Sequence, residues 1–317
     1  MRIDLKNGKA KPYNPVLEGI RRQIANLKGA TVDDVAKIVS DRTKAYNRTP
    51  QAELGGLSPE QAHALTKPGW MDEAVVLNEE LSLEELENAP LFQNARRTLL
   101  AIDDLESVKA TAKGSFNRHF ASRMFEEFSL TKEQREDTLR YNKIINQDDV
   151  PMLLLVRHLL HITELVRLEK GAFRLDRLTG SLLADESEGV LYALLFRALF
   201  LRINLDAFDG LPEAPQVQKT IGFSIYQLSK ITEDWVNIED IAESLFFAEL
   251  IKTLPVREYS RAPAISYAEM RVLRPFNKFG LIEITTKNSW MEIAQIRKTP
   301  LFDRFIKFNL PPAFKSV

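Results

Sequence analysis

Residues 166–175 read Val166-Arg167-Leu168-Glu169-Lys170-Gly171-Ala172-Phe173-Arg174-Leu175. Apolar residues stand two apart on either side of Lys170-Gly171, which is typical of a β-hairpin with one apolar face. A helix is predicted ahead of it, from Met152 to about Val166, because Pro151 suits a first helical turn and the preceding Asp148 and Asp149 can cap it. A helix followed by a two-stranded hairpin indicates a winged-helix module.

The same order recurs near the C-terminal end. Helices are predicted over 238–254 and 266–276, followed by a hairpin over 281–293 that turns at Lys287-Asn288. A third candidate has a helix over 82–102, one strand from Val108 to Lys113 with a turn at Gly114, and a helix over 116–128. The sequence therefore predicts a mainly α, multi-helical protein with two or three winged-helix-like modules, each made of helices and a short β-hairpin.

Composition sets limits on function. The chain has 317 residues, of which 44% are hydrophobic, and its formal net charge is -1. This charge excludes a protein that coats nucleic acid over its whole surface, so any basic surface must be local. The predicted domains are an N-terminal helical arm over 1–80, which contains Pro12, Pro15, Pro50, Pro59 and Pro68, a helical domain over 81–235, and a C-terminal domain over 236–317.

The sequence contains no cysteine, which excludes disulfides, thiolate zinc sites and a cysteine nucleophile. The N-terminus has no apolar segment of the signal-peptide type, and no run of uncharged apolar residues is long enough to span a membrane. We therefore expect a cytoplasmic protein with no membrane contact.

Three segments carry a resemblance: 47–59, 109–114 and 192–197. They resemble a set of uncharacterised bacterial proteins with winged-helix-like parts. Some related chains carry a cysteine-rich zinc segment, and since this sequence has no cysteine, no zinc role follows. The run 54–59 is also similar to the end of retroviral-integrase-type transposases. Those enzymes need three carboxylates on a strand-rich domain, which this chain has too few strands to build, so a turn leading to a helix cap at Ser58 is the interpretation we adopt.

Metal binding is considered because His158, His161 and Glu164 follow one another at helical spacing. Arg157 beside a metal would be unfavourable, and Arg157, His161 and Glu164 also form the polar stripe of an apolar helix. No Gly-rich phosphate loop and no nucleophile elbow occurs, so no catalytic residue, metal or other cofactor is assigned. A metal-dependent enzyme with His158 and His161 as ligands stays a second alternative.

Nucleic-acid binding is indicated by where charge falls. Residues 107–124 carry four cationic side chains and His119 without any acidic residue, and residues 252–278 carry six cationic side chains against two acidic ones. The helix over 266–279 would present Arg271, Arg274 and Lys278 as a ridge, although Pro275 is expected to end or kink it after Arg274. The hypothesis is a non-enzymatic protein that binds nucleic acid, DNA in the first instance, through Lys113, Arg118, Arg123, Arg271 and Arg274.

The alternative is a protein-interaction scaffold, a subunit of a larger bacterial complex or a homo-oligomer. Winged-helix modules dock on proteins as well as on DNA, and fold does not choose between the two. Phenylalanines are frequent in the last third of the chain, and an exposed group of them would mark a partner surface. These residues are Phe246, Phe247, Phe276, Phe279, Phe302, Phe305 and Phe308.

Overall fold

The structure is a computed structural model that describes residues 15–25, 31–184, 186–231, 233–256, 261–287 and 292–314. The chain is mainly helical, with small antiparallel sheets. Its α-helices are, in chain order, α1 (Pro15–Ala25), α2 (Val32–Arg48), α3 (Pro59–Ala64), α4 (Trp70–Glu73), α5 (Pro90–Asp104), α6 (Arg118–Glu127), α7 (Lys132–Tyr141), α8 (Pro151–Ile162), α9 (Thr179–Leu183), α10 (Glu188–Leu201), α11 (Pro215–Lys219), α12 (Ile221–Ser229), α13 (Ile238–Ile241), α14 (Ala248–Ile251), α15 (Pro263–Tyr267), α16 (Arg274–Lys278) and α17 (Pro300–Phe305).

The strands are β1 (Val75–Leu77), β2 (Val108–Lys109), β3 (Val166–Glu169), β4 (Ala172–Leu175), β5 (Val236–Asn237), β6 (Ile282–Thr286), β7 (Ile293–Lys298) and β8 (Ile306–Phe308). They form one two-stranded sheet, β1-β8, and two three-stranded sheets in the orders β2-β4-β3 and β5-β7-β6. All of the pairs are antiparallel.

The chain divides into two compact units, Met1–Lys67 with Leu310–Val317, and Pro68–Asn309. In the first unit, α1 packs on α2, which begins with a capping box between Thr31 and Asp34. Ser58 caps α3 through the backbone N–H of Gln61, as predicted. The Gln61 side chain in turn donates to the carbonyl oxygen of Pro311 at 2.9 Å, which fixes the C-terminal segment against α3.

The second unit contains a first module, residues 90–175, in the order α5-β2-α6-α8-β3-β4, with α7 inserted between α6 and α8. The predicted hairpin over 166–175 is confirmed, with Leu168 opposite Phe173 in the register. The strand of the third candidate does not start a module of its own, because Val108 pairs with Phe173 in the same sheet. The predicted helix over 82–102 begins only at Pro90, since proline disfavours helical geometry at the residue before it.

A second module, residues 221–298, repeats this order with α12, β5, α13, a long helix, β6 and β7. The predicted pairing around 281–293 is confirmed by β6 and β7, while Asn288 of the predicted turn lies outside the described residues. The predicted helix over 238–254 is broken, because extended backbone at Phe246 and Phe247 buries the first ring and stacks the second on Phe223 at 4.0 Å.

The long helix of the second module continues through Pro275 instead of ending after Arg274. It runs from α15 through a π-helical segment, Ala268–Leu273, into α16. A proline ring collides with the carbonyl four residues earlier and has no N–H to donate. The wider π-helical turn directly before Pro275 relieves both problems, which explains why the helix continues.

Aromatic packing around α10 forms the core of the second unit. Phe196 of this helix lies within 6 Å, centroid to centroid, of Phe276 (5.8 Å), Phe279 (5.1 Å) and Phe305 (5.2 Å). The buried hydroxyl of Tyr192 donates to the carbonyl oxygen of Phe279 at 2.6 Å, so its burial leaves no unpaired polar group. The core therefore packs α10 against α16 and α17.

Candidate nucleic-acid interface

Arg271 lies in the interior and not on the predicted surface ridge. Its side chain is 1% exposed, and its guanidinium pairs with Asp206 and, at 2.6 Å, with Asp209. It also donates to the carbonyl oxygens of Pro212 at 2.9 Å and Ala214 at 3.1 Å. A buried guanidinium with these partners has no surface left for a phosphate, so Arg271 is not part of the interface.

The other cations of the predicted ridge are compensated. Arg274 donates to Glu269 at 3.0 Å. Lys278 is half-buried, and burial together with the neighbouring Arg274 lowers the pKa of Lys278 to about 8. The helix of the second module therefore offers no basic ridge.

Carboxylates pair with several further cations of the second module. Lys287 donates to Glu239 at 2.7 Å, and this bond is the largest cause that lowers the pKa of Glu239 to about 2. The remaining pairs are Arg261 with Glu239 (2.8 Å), Arg297 with Glu283 (2.6 Å) and Lys298 with Asp303 (2.8 Å). All of these pairs except Lys298–Asp303 lie within the module, and all of them weaken its attraction for a polyanion.

Arg123 of α6 is also compensated. It lies between Glu127, at 2.7 Å, and Asp104, at 3.4 Å, and hydrogen bonding to Glu127 holds the pKa of Arg123 above its usual range. Three of the five interface residues predicted from the sequence, Arg123, Arg271 and Arg274, therefore have carboxylate partners.

Lys113 and Arg118 are exposed, and neither has an ion pair within the described part of the chain. Lys113 lies in the loop after β2, and Arg118 is the first residue of α6. Asn117 caps α6 by accepting from the Phe120 N–H, and its amide donates to the carbonyl oxygen of Lys109 at 2.8 Å. The start of α6 is thereby held beside the end of β2.

Further cations lie near these two on the hairpin. The N–H of Ala110 donates to the carbonyl oxygen of Gly171 at 2.8 Å, which brings Lys109 beside the turn residue Lys170. Lys109 is opposite Ala172, and Arg174 lies two residues further along β4 on the same face. We call the exposed residues Lys109, Lys113, Arg118, Lys170 and Arg174 the basic surface.

Lys109, Lys170 and Arg174 were not among the predicted interface residues, although Lys109 lies in the acid-free segment 107–124. The signal was present, because the alternation that buries Phe173 must turn Arg174 outward. The sequence did not show that β2 pairs with β4. This pairing places the loop after β2, which carries Lys113, beside the hairpin.

Arg157 of α8 supports the loop that carries Lys113. Its guanidinium donates to the carbonyl oxygen of Gly114 at 3.3 Å, and burial lowers the pKa of Arg157 while Asp148 opposes that shift. The Leu168 side chain lies against the same glycine, 3.6 Å from where a Cβ would stand. The loop is thus held by both α8 and β3.

His158 is engaged inside the protein. Its Nδ1 lies 2.8 Å from the carbonyl oxygen of Leu154, and its Nε2 lies 3.4 Å from the guanidinium of Arg157. A ring N–H at Nδ1 that donates to the carbonyl leaves Nε2 as an acceptor for arginine, which satisfies both nitrogens. His161 is exposed. Among the described residues, no three side chains of the metal-binding types come together.

The helix α8 is covered on its outer side. The His158 ring packs edge-on against Phe208, with centroids 5.4 Å apart, and Arg202 donates to the carbonyl oxygen of Ile162 at 2.8 Å. Five of its residues are buried. The helix that precedes the hairpin therefore belongs to the core and does not present a free face to a groove of duplex DNA.

The phenylalanines of the last third do not form the exposed group that a partner surface would need. Phe246, Phe276, Phe279, Phe302 and Phe305 are buried. Phe247 and Phe308 are partly covered. In the described ranges, the helices are too short or too polar to cross a membrane.

Comparisons with known proteins identify one region. The search of curated proteins and the search of solved structures each found no match. Residues 87–188 match the family described as Y4jL N-terminal domain, an uncharacterised family, in agreement with the resemblance to uncharacterised proteins. The similarity covers less than half of the chain, and it contains the first module with the whole of the basic surface.

Proposed function

We propose that this chain is a non-enzymatic nucleic-acid-binding protein. Its first module binds the phosphate backbone through the basic surface, and DNA is the ligand to test first. One observation carries the proposal. Five exposed cations without a carboxylate partner in the described residues gather on this module, whereas the other three predicted cations, Arg123, Arg271 and Arg274, are paired with carboxylates. We also propose a cytoplasmic location, which the absence of cysteine supports.

The order of elements supports winged-helix-like modules. In both modules the elements follow one another along the chain in the order helix–strand–helix–helix–strand–strand. Within the sheet, the third strand lies between the first and the second. That order is the one expected of a winged helix, in which the last two strands form the wing. Lys170 and Arg174 would then lie on the wing of the first module.

Electrostatics favour phosphate binding at this surface. Each phosphate that a lysine or arginine neutralises releases a condensed counterion, which favours binding at low salt. The first turn of α6 contains no acidic residue, so the positive end of its helix dipole adds to the charge of Arg118. Lys113, in the loop just before α6, contributes to the same potential.

The test is binding of a fluorescein-labelled 20-base-pair duplex, followed by anisotropy at low salt. A Lys113→Gln/Arg118→Gln variant should bind at least about tenfold more weakly, since two phosphate contacts are lost. The charge-matched control is Lys37→Gln/Lys307→Gln, which removes two exposed lysines outside the first module. Equal affinities of the two variants, or binding that persists at high salt, would contradict the proposal and favour a protein partner.

A further inference from the structure

The end of α7 exposes an aromatic ring next to an exposed lysine of the connection to α8. Tyr141 is 77% exposed, with Leu139 at 56% and Ile144 at 51% beside it. Lys143 follows Tyr141 two residues later and has no ion pair in the described part of the chain, whereas the preceding Arg140 pairs with Asp137 at 3.3 Å. Within the described residues, the Tyr141 ring has no aromatic contact and its hydroxyl has no hydrogen bond.

Hydrogen bonds tie α7 to the end of α6 and tie the connection after α7 to the residues just before α6. At the start of α7, the Arg135 guanidinium donates to the carbonyl oxygens of Phe125 (2.9 Å) and Phe128 (2.7 Å), at the end of α6. Beyond Tyr141, the side chain of Gln147 accepts from the N–H of Phe116 at 3.0 Å, two residues before Arg118. Five residues lie between Tyr141 and Gln147, so their Cα atoms are at most about 22 Å apart.

The covered helix α8 decides which form of nucleic acid suits this arrangement. A protein that reads duplex DNA directly places an exposed helix or ribbon in the major groove. Here α8 is packed beneath Phe208, so it has no free face to insert. An exposed ring beside cations is, in contrast, the combination that binds a single strand, because an unpaired base stacks on the ring while cations hold the backbone.

We propose that the ligand of the basic surface is a single-stranded nucleic acid and that Tyr141 stacks on one of its unpaired bases. This inference rests on the proposed function and names its substrate class. The strand follows the basic surface past the start of α6 and reaches Tyr141, where Lys143 holds a phosphate. In a duplex the bases are stacked on one another, so the ring has no base face to meet.

The test compares a 15-nucleotide oligothymidylate with a 15-base-pair duplex, both labelled and measured by anisotropy at the same salt concentration. The wild-type chain should bind the single strand more tightly. Tyr141→Ala should weaken single-strand binding about tenfold and leave duplex binding within about twofold. Tyr141→Phe keeps the stacking face and should bind the single strand like wild type. Tyr46→Ala, at a tyrosine that is 39% exposed, is the control and should change nothing.

The outcomes separate this inference from the proposed function. If the Lys113→Gln/Arg118→Gln variant loses affinity but Tyr141→Ala binds the single strand like wild type, the basic surface stands and the stacking role of Tyr141 is overturned. A wild-type preference for the duplex also overturns the inference. If wild type binds neither probe, the proposed function itself fails. A Tyr141→Ala variant that changes the molecular mass in light scattering instead of the affinity would assign the segment to a protein contact.

Discussion

Arg271 brings a positive charge into the interior, where it meets two carboxylates. Asp206 and Asp209 are 8% and 4% exposed, so neither can turn to water if the guanidinium is removed. The ring of Tyr267 lies 4.7 Å from the same guanidinium. The cluster ties the segment after α10 to the π-helical turn of the second module.

Arg271→Met should lower the free energy of unfolding by about 3–5 kcal/mol, because it leaves two buried carboxylates without a cation. Guanidinium denaturation followed by circular dichroism measures the effect. The control is the triple variant Arg271→Met/Asp206→Asn/Asp209→Asn, which removes the uncompensated charges and should recover part of the loss. A single variant as stable as wild type would contradict the role of this cluster.

Lys278 gives the second module a defined pH dependence. Burial lowers its pKa from 10.5 to about 8, so between these values the unfolded chain holds a proton that the folded chain has released. The free energy of unfolding should therefore rise as pH increases from about 8, and below about pH 8 the cost of the buried charge is fully present.

Lys278→Met removes that cost and should stabilise the protein at pH 7 by up to about 3 kcal/mol. The measurement is the free energy of unfolding between pH 7 and about 9.5, below the usual titration of tyrosine. Wild type should show a rise that the variant lacks. Parallel pH profiles for the two proteins would show that the Lys278 charge costs nothing in the fold.

At the scale of elements, α10 approaches the segment after β1 so closely that only glycine fits at its second residue. A Cβ on Gly189 would overlap the carbonyl oxygen of Glu79 and lie 2.5 Å from the nitrogen of Leu81. Both neighbours are backbone atoms, which cannot move aside as a side chain can. The position therefore fixes the approach of this segment to the helix.

Gly189→Ala should destabilise the second unit by about 3 kcal/mol or more, although alanine has the higher helix propensity. Gly180→Ala in α9 is the matched control, because nothing lies within 4 Å of its Cβ position. The control should be neutral or slightly stabilising in thermal unfolding. A Gly189→Ala variant that melts with wild type would show that the contact relaxes without cost.

The local sequence pattern predicts which helices and strands form better than it predicts which of them pack together. The hairpins β3-β4 and β6-β7 were predictable because alternation and a turn act over a few residues. Neither the pairing of β2 with β4 nor the ion pair of Arg271 with Asp209 was predictable. Arg271 and Asp209 are 62 residues apart in the sequence, and only packing brings them together. Charge counts wrongly placed Arg271 on the surface, because a short stretch of sequence does not show which distant carboxylates lie next to a cation in the fold.

At the scale of the whole molecule, a formal charge of -1 means that any attraction for a polyanion is local. If the basic surface and Lys143 supply about six phosphate contacts, the logarithm of the binding constant should fall against the logarithm of salt concentration with a slope of about −4.2 for a single strand. Each lysine or arginine replaced by glutamine in that surface should reduce the slope by about 0.7.

Anisotropy titrations of the oligothymidylate at four or more salt concentrations measure this slope. Tyr141→Ala separates the two kinds of contact, because stacking releases no counterion: it should lower the affinity at every salt concentration and leave the slope unchanged. Lys113→Gln should do the reverse, with a smaller slope and an affinity deficit that shrinks as salt increases. A wild-type slope near zero would mean that the cations of the first module meet no phosphates, whatever the affinity.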